Sequence, residues 1–282
     1  MPRALTFFLT LAAMLAFAGN SLLCRMALLH TGIDPASFTF VRIASGALAL
    51  WLIVRLRTGA KTGGAGNWAS ALALFAYAAL FSYAYVSLPA ALGALLLFGA
   101  VQATMIGYGL WAGERMRILH WAGLACALGG LVALLLPGLA APPPVGAALM
   151  IGAGFAWGIY SLRARGGGDP TAVTAGNFLR AAPLAVALSV AALPWQALDA
   201  AGVGYAITSG ALTSGVGYAI WYAALRGLAA TSAATIQLSV PAITAAGGIF
   251  FLGESITMRL VIASVAILGG IALVITGKRE GG

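Results

Sequence analysis

Charged residues are scarce in this chain of 282 residues: Asp, Glu, Lys and Arg together make up 7%, whereas a soluble globular domain carries roughly 25%. Hydrophobic residues make up 62%, and the mean hydropathy is +1.01. So little charge excludes a soluble fold. The alternation over roughly ten residues that marks a membrane β-barrel is absent as well, so the spanning structure that satisfies every backbone N–H and C=O is the α-helix.

Cysteine and histidine are also rare, with two of each. Cys24 and Cys126 lie in apolar stretches, where thiols pack as small hydrophobes, and no CxxC or Cys/His spacing typical of a metal site occurs. His30 and His120 lie near the ends of apolar runs. We therefore predict no disulfide, no metal, no cofactor and no catalytic residue.

Acidic residues are fewer than basic ones. The chain has 6 Asp and Glu against 15 Lys and Arg, which gives a net charge of +9. A basic protein can bind nucleic acid, but no basic face with interleaved aromatic residues occurs here. Most of the charges stand in short segments between apolar runs instead. This placement is typical of a protein oriented in a membrane, and we predict no nucleic-acid partner.

The apolar runs have the length of membrane-spanning helices. A helix crosses roughly 30 Å of hydrocarbon with about 20 residues. Charged residues, prolines and glycine clusters divide the chain into ten such segments. They are Leu5 to Leu29, Ala36 to Val54, Trp68 to Leu88, Ala90 to Trp111, Ile118 to Leu136, Val145 to Leu162, Thr171 to Leu193, Val203 to Leu225, Ala229 to Leu252 and Ile256 to Thr276.

The first segment has an alternative interpretation as a secretory signal. Arg3 precedes an apolar core, and Ala16-Phe17-Ala18 has the small residues of a cleavage site. The apolar run, however, continues past this point to Leu29. We therefore predict a membrane span, since cleavage would also remove one member of the duplication described below.

The basic residues predict the orientation of the chain. Cytoplasmic loops carry an excess of Lys and Arg. With the N-terminus in the cytoplasm, Arg259 alone falls on the outer edge, and the cytoplasmic side receives Arg3, Arg55, Arg57, Lys61, Arg115, Arg117, Arg163, Arg165, Arg226, Lys278 and Arg279. We predict a multi-pass protein of the bacterial inner membrane with both termini in the cytoplasm.

The two halves of the chain, residues 1–140 and 141–282, carry matching patterns. Residues 98–130 align with 238–270 without a gap. The matched pairs are Gly113-Glu114 with Gly253-Glu254, Leu128-Gly129-Gly130 with Leu268-Gly269-Gly270, Phe40-Val41-Arg42 with Phe178-Leu179-Arg180, and Tyr83-Ala84 with Tyr218-Ala219. Five spans separate equivalent positions, and an odd number predicts two inverted five-helix repeats. Such repeats are typical of transporters with a central site and alternating access.

Ten spans in two halves, with an Arg early in the second span and a Gly-Glu turn before the last span of each half, resemble the EamA family of the drug/metabolite transporter superfamily. Within it the chain is similar to the YddG-type aromatic amino-acid exporters. The resemblance implies an all-α carrier whose cavity is built from the first, third and fourth spans of each half, with the last spans peripheral. Related branches leave nucleotide sugars and quaternary ammonium compounds open as substrates.

A cavity for a zwitterion needs aromatic and apolar walls and a few neutral hydrogen-bonding groups. The spans that the resemblance assigns to the cavity contain such residues near their middles. The predicted substrate-binding residues are Asn20, Tyr77, Phe81, Tyr83, Phe98, Gln102, Trp157, Tyr160, Ser214, Tyr218 and Gln237. Helix packing is the alternative explanation for each of them.

Arg42 and Arg180 lie inside their spans at equivalent positions, where a charge marks a water-filled route or a partner. They could capture a substrate carboxylate, but a shared structural role, such as binding helix-end carbonyls, is favoured. Glu114 and Glu254 are predicted to cap the fifth and tenth helices, since an anion stabilises the positive end of a helix.

These observations predict an exporter of aromatic and other amino acids that works by alternating access without tight ion coupling. Export of other small metabolites, nucleotide sugars or drug-like cations is the alternative. A membrane enzyme is the alternative from another class, but no midplane nucleophile, base or paired carboxylate is present to support it. The expected partners are the amino-acid substrate and the lipid bilayer, with the chain a monomer or weak dimer.

Overall fold

A computed structural model describes residues 2–58, 65–113, 118–136, 141–163, 169–228, 233 and 236–276, and the regular structure within these segments is helical. The helices are α1 (Arg3–His30), α2 (Pro35–Thr58), α3 (Trp68–Tyr85), α4 (Ala90–Trp111), α5 (Ile118–Leu135), α6 (Pro144–Arg163), α7 (Pro170–Ala191), α8 (Ala200–Ile207), α9 (Gly217–Leu225), α10 (Ser239–Leu252) and α11 (Met258–Thr276). A π-helical stretch, the π segment (Thr208–Val216), joins α8 to α9, and a short 3-10 helix covers Leu193–Trp195.

Within the described segments, 8 helices are long and apolar enough to cross a membrane, namely α1 to α7 and α11. The prediction of a multi-pass helical membrane protein is therefore confirmed. The predicted eighth span falls on α8, the π segment and α9, which follow one another without a break. The predicted start of the ninth span, Ala229, lies outside the described residues, and α10 forms its later part. The count of ten spans stays a prediction.

Prolines and side-chain caps fix where several helices begin. Pro35, Pro144 and Pro170 are the first residues of α2, α6 and α7, where a missing N–H costs little. The side chains of Asn67 and Asp199 accept hydrogen bonds from the first turns of α3 and α8. The starts of α2, α3, α6 and α7 lie within one residue of the predicted spans.

The two halves of the chain pack against each other throughout the bundle. Helix α2 packs on α7, α3 and α4 pack on α6, α4 also contacts α10, and α5 packs on α11. Helix α1 contacts α8, the π segment, α9 and α10. An inverted repeat would produce such pairing between equivalent helices, and the repeat itself stays a prediction.

Small residues allow the closest of these helix contacts. Gly154 of α6 faces Ala100 and the Leu97 carbonyl of α4, and a Cβ built on Gly154 would lie 2.5 Å from the Ala100 Cβ. A Cβ on Gly123 of α5 would lie 2.6 Å from the Gly270 carbonyl oxygen of α11. Close backbone approach at small residues is a common way to pack membrane helices, because hydrocarbon supplies no hydrophobic force between them.

Part of the predicted charge pattern lies outside the described residues, namely Lys61, Glu114, Arg115, Arg117, Arg165, Lys278 and Arg279. The orientation of the chain and the role of Glu114 therefore stay predictions.

Candidate functional site

The directions of the helices define two ends of the bundle. We call the end where α1 begins and α11 finishes the terminal face, and the other end the opposite face. The opposite face carries the connections 31–34, 86–89, 192–199 and 253–257.

A cavity of about 350 Å³ occupies the centre of the bundle, a volume within the range of small-molecule sites. Ser161, Pro170 and Leu225, at the terminal-face ends of their helices, are among its lining residues. None of the described lining residues belongs to the four connections of the opposite face. The cavity therefore extends from the middle of the bundle toward the terminal face.

The wall comes mainly from α1, α3, α4, α6, the π segment and α9, with Pro170, Ala233 and Gln237 added at the terminal-face end. Among the described residues, none of α5 or α11 lines it. These are the first, third and fourth spans of each predicted half, with the last spans outside. The arrangement matches what the family resemblance implies.

Aromatic rings gather around Trp157 of α6. Its ring centroid lies 4.8 Å from that of Tyr77, 5.3 Å from that of Tyr160 and 5.2 Å from that of Tyr218. Phe17 of α1 adds edge contacts to Tyr218. Rings at these distances attract one another and hold their orientation. The cavity thus has a fixed aromatic wall contributed by four helices.

A chain of hydrogen bonds crosses the wall of the cavity. The Tyr77 hydroxyl accepts from Arg42 Nη2 at 3.0 Å and from Asn20 Nδ2 at 3.1 Å. The Asn20 Oδ1 in turn accepts from the hydroxyls of Ser209 at 2.8 Å and Thr213 at 3.5 Å, both in the π segment. The network joins α1, α2, α3 and the π segment, and it fixes the orientation of the Asn20 amide.

A second polar cluster lies at α6, α7 and α9. The Tyr222 hydroxyl accepts from Thr174 Oγ1 at 3.2 Å, and Asn177 Nδ2 donates to the Tyr160 hydroxyl at 3.4 Å. Tyr160 and Tyr222 line the cavity, while Thr174 and Asn177 do not. This cluster supplies neutral hydrogen-bonding groups without an adjacent charge.

Most of the residues predicted at the site line the cavity: Asn20, Tyr77, Phe81, Phe98, Gln102, Trp157, Tyr160, Tyr218 and Gln237. Tyr83 and Ser214 do not. Tyr77 and Phe81 are four residues apart and share one face of α3. Tyr83 stands two residues after Phe81 and therefore lies on a different face. An α-helix would place Ser214 on the face of Tyr218, but π-helical hydrogen bonds join residues five apart and bring Thr213 there instead.

Arg42 and Arg180 have different environments although the sequence pairs them. Arg180 is half-buried, and its Nη1 donates to the carbonyls of Ala65 at 2.6 Å and Gly176 at 3.0 Å. These carbonyls bind one guanidinium nitrogen of Arg180, and carboxylate capture by this residue stays a prediction. Arg42 is buried beside the cavity wall and binds no carbonyl in the described part of the chain. The two arginines thus have different partners in the structure, and the shared role stays a prediction.

Six polar or aromatic residues of the wall are absent from the predicted set: Phe17, Ser21, Ser161, Thr213, Trp221 and Tyr222. Phe17 and Ser21 stand three residues before and one after Asn20, so Phe17 shares its helix face. The spacing of these residues around a midspan amide could have identified them. Thr213 had no comparable signal, since its position depends on the π winding.

The wall is interrupted near Gln237. The chain is helical at Ile236 and Gln237, turns at Leu238 and starts again as α10 at Ser239. The Ser239 hydroxyl donates to the Ile236 carbonyl at 2.7 Å, and Pro241 in the first turn of α10 supplies no N–H. Broken helices are a recurrent feature of transporter sites.

Glu254 joins α10–α11 to α4 and α1 at the opposite face. Both of its carboxylate oxygens accept from the Ala90 N–H, at 2.9 and 2.8 Å, and one lies 3.5 Å from Arg25 Nε. Arg25 Nη1 donates to the carbonyls of Tyr85 and Val86. Glu254 thus caps α4 and joins the two halves of the chain. The prediction that it caps its own tenth helix is wrong, because the positive end of α4 lies closer.

A second junction at the opposite face joins the connections 31–34 and 192–199. Asp34 accepts from the Ala197 N–H at 3.0 Å and also caps α2. Partial burial acts to raise the pKa of Asp34, but hydrogen bonds from Ser37 and Ala197 outweigh it and hold the pKa below its usual value. Asp199 accepts from the Gly202 and Gly32 N–H groups, which lower its pKa.

We expect acid to weaken this second junction. The folded-state pKa of Asp34 is depressed, so its contribution to stability is present above the unfolded value of about 3.9 and is lost as pH falls through the folded pKa. The unfolding temperature of the wild type should fall between about pH 5 and pH 3, and Asp34→Asn should show a shallower fall. Asp169→Asn is the control, because the Asp169 carboxylate caps α7 and does not belong to this junction. Its unfolding temperature should fall with pH as steeply as that of the wild type.

A multi-pass helical bundle around an uncharged aromatic cavity is the architecture of a membrane carrier for small solutes. The chain belongs to the EamA-like transporter family of the drug/metabolite transporter superfamily, whose sequence pattern its residues 144–276 match. This is a family of transporters and not of enzymes, and its members carry small solutes across membranes.

Two relatives extend the comparison to the whole chain. An uncharacterized protein of Pseudomonas aeruginosa, PA1977, is 56% identical over 278 residues, which cover 99% of this chain and 97% of the relative. A protein of known crystal structure shares the fold with a TM-score of 0.68 and 20% identity, over 99% of this chain and 100% of that one. At this identity the likeness concerns the fold alone.

Proposed function

We propose that this protein exports amino acids, aromatic ones and a broad range of others, across the bacterial inner membrane. The observation that carries the proposal is the central cavity, with its aromatic wall and its neutral polar groups. Among the described lining residues none is Asp, Glu, Lys or Arg. Such a wall rejects neither the ammonium nor the carboxylate of a zwitterion, and aromatic rings suit an apolar side chain. The resemblance to YddG-type exporters supports the same substrate class.

The proposed orientation places the terminal face in the cytoplasm, because the basic residues favour that side. The cavity then faces the cytoplasm, and the contacts of Glu254 and Asp34 close the outer end. An exporter loads its substrate in this state. Release requires a second state in which the outer end opens, and the pairing of equivalent helices across the bundle supports a rocking motion of one half against the other.

Transport without tight proton coupling follows from where the carboxylates stand. The chain has 6 acidic residues, namely Asp34, Glu114, Asp169, Asp199, Glu254 and Glu280, all at the ends of the apolar runs or between them. A proton relay through a membrane uses carboxylates or histidines at depth. We therefore propose facilitated movement down the amino-acid gradient.

The described residues of one chain line the cavity on several helices, which supports a monomer as the working unit. A weak dimer would leave this cavity unchanged. Light scattering of the purified protein in detergent should give the mass of one 28.4 kDa chain after subtraction of the detergent.

Drug-like cations are the second candidate substrate, because the rings of Tyr77, Trp157 and Tyr218 could surround a quaternary ammonium group. The buried charge of Arg42 opposes this, since it lies 3.0 Å from the Tyr77 hydroxyl. Nucleotide sugars are less well supported, because their phosphates need cationic side chains in the wall.

Uptake by proteoliposomes tests the proposal. The panel comprises phenylalanine, threonine, methionine and lysine, with tetraphenylphosphonium and a nucleotide sugar as rivals, each with and without an imposed proton gradient. We expect flux of several amino acids that does not depend on the gradient. Flux of tetraphenylphosphonium or the nucleotide sugar alone would contradict amino-acid export, and gradient-dependent accumulation would contradict the uncoupled mechanism.

Removing the charge of Glu254 should favour the outward-open state. Glu254→Gln weakens the hydrogen bonds to Ala90 and abolishes the ion pair with Arg25. We expect a cysteine placed at buried Ser21, in a chain with Cys24 and Cys126 replaced by serine, to react several-fold faster with an impermeant maleimide added outside right-side-out vesicles.

Arg259→Gln is the control for this measurement. Arg259 lies at the same face but donates to the Ala133 and Leu136 carbonyls at the end of α5, away from the contacts of Glu254. It should leave the labelling rate unchanged. An equal increase in both variants would mean general loosening of the outer end.

A further inference from the structure

The Tyr77 hydroxyl accepts two hydrogen bonds and donates none to any residue in the described part of the chain. A phenol oxygen has two lone pairs and one proton. Arg42 Nη2 and Asn20 Nδ2 donate to it at 3.0 and 3.1 Å, which uses both lone pairs. Tyr77 lines the cavity, so its remaining proton is available to a bound molecule.

The charge behind this hydroxyl has no carboxylate partner in the described part of the chain. Arg42 has an exposed fraction of 2%, and its Nη1 makes no hydrogen bond to any described residue. The salt bridge found there involves a different arginine, Arg25. A buried cation without a counter-ion is costly, and in a membrane protein it marks a functional position.

Aromatic rings offset part of that cost. The Arg42 guanidinium carbon lies 5.1 Å from the ring centroid of Tyr77 and 4.8 Å from that of Phe81. Both rings line the cavity, while Arg42 itself does not. The positive charge therefore sits one side chain behind the wall, where it can act on a ligand through Tyr77 without contact with it.

The duplicated position shows that this arrangement is not needed to hold an arginine in the fold. Arg180, the equivalent of Arg42, is satisfied by the carbonyls of Ala65 and Gly176. The residue that aligns with Tyr77 in the other half is Leu212, which has no hydroxyl. Among the described residues, a buried arginine without a counter-ion and a hydroxyl in front of it occur together in the first half alone.

We propose that the Tyr77 hydroxyl is the subsite for the carboxylate of the substrate, with Arg42 and Asn20 as its positioning residues. The proposal rests on the proposed amino-acid export and adds which end of the molecule binds where. Tyr77 donates its proton to a carboxylate oxygen. Arg42 strengthens that hydrogen bond by adding positive potential, because a donor polarised by a cation binds an anion more tightly.

The subsite predicts discrimination between an amino acid and its ester. Phenylalanine and phenylalanine methyl ester share the ring and the ammonium group, and they differ in the charge of the carboxyl end. A charge-assisted hydrogen bond is worth about one to two powers of ten in affinity. We expect the purified full-length protein to bind phenylalanine at least about tenfold more tightly than the ester, as measured by isothermal titration calorimetry.

Tyr77→Phe should abolish this preference. Binding of phenylalanine should weaken about tenfold while binding of the ester stays unchanged, so that the affinity ratio approaches unity. Tyr222→Phe is the matched control, because Tyr222 lines the same cavity and its hydroxyl accepts from Thr174 in place of an arginine. It should keep the wild-type ratio. Arg42→Lys, which retains the charge but loses the planar donor, should give an intermediate ratio.

The outcomes separate this inference from the proposed function. A Tyr77→Phe variant that keeps the wild-type ratio overturns the subsite, as does equal binding of acid and ester by the wild type, and amino-acid export survives both results. Binding of neither compound, together with absence of amino-acid flux in proteoliposomes, overturns the proposed function and the subsite with it. The unfolding temperatures of Tyr77→Phe and Tyr222→Phe are compared as well. If they are equal, a changed ratio of the affinities for phenylalanine and its ester does not reflect loss of fold.

Discussion

Replacing Trp157 by alanine should weaken phenylalanine binding by at least about tenfold, or about 1.4 kcal/mol, and should reduce amino-acid flux in parallel. The Trp157 ring contacts those of Tyr77, Tyr160 and Tyr218, and each aromatic pair contributes about 0.5–1.5 kcal/mol beyond burial. Without it, the three tyrosines lose the ring that orients them, and the cavity widens beyond a close fit. Calorimetric titration and proteoliposome flux measure the two effects.

Trp195→Ala is the control for the same side-chain deletion. Trp195 lies at the opposite face with an exposed fraction of 78%, away from the cavity. It should leave binding and flux unchanged, and Trp157→Phe should recover much of the lost affinity. Unaltered phenylalanine binding by Trp157→Ala would place the substrate elsewhere than in this cavity.

A second large effect is expected from a single methyl group at Gly154. The Cβ of Gly154→Ala would lie 2.5 Å from the Ala100 Cβ and 2.7 Å from the Leu97 carbonyl oxygen, so α4 and α6 would have to separate. Overpacking of this kind costs about 1–3 kcal/mol. We expect a clear fall in the unfolding temperature in detergent, with loss of transport because both helices line the cavity.

Gly269→Ala is the matched control, since it adds the same methyl group to α11. A Cβ at Gly269 meets no atom within 4 Å. The unfolding temperature should stay the same or rise slightly, because alanine favours the helix. If the two variants had equal stability, the close contact between α4 and α6 would not be a determinant of the fold.

The membrane class, the positions of most spans and much of the cavity wall could be predicted from the sequence. Hydrocarbon solvates no backbone group, so an apolar run of about 20 residues has one stable conformation, and prolines show where it begins. Midspan residues such as Tyr77, Trp157 and Asn20 are predicted at the site because a cavity for a zwitterion needs aromatic walls and neutral hydrogen-bonding groups. Their function as substrate-binding residues stays a prediction.

Two features of the site had no sequence pattern that indicated them. Glu254 lies before α11 in the chain, yet it caps α4, because the fold brings the N-terminus of that helix to it. Thr213 lines the cavity and Ser214 does not, because the nine residues Thr208–Val216 form a π-helix. Such winding has no simple sequence signal.

Arg42 and Arg180 show most clearly what can be learned from the sequence and what depends on the packing of the helices. The sequence places Arg42 and Arg180 inside membrane spans, at positions where a charge needs a partner. The partner of each depends on how the helices pack. Arg180 reaches backbone carbonyls, whereas Arg42 meets two aromatic rings and one hydroxyl beside the cavity. A residue type fixes the interactions that a side chain needs, and the packing of the neighbouring helices determines which groups are there to meet them.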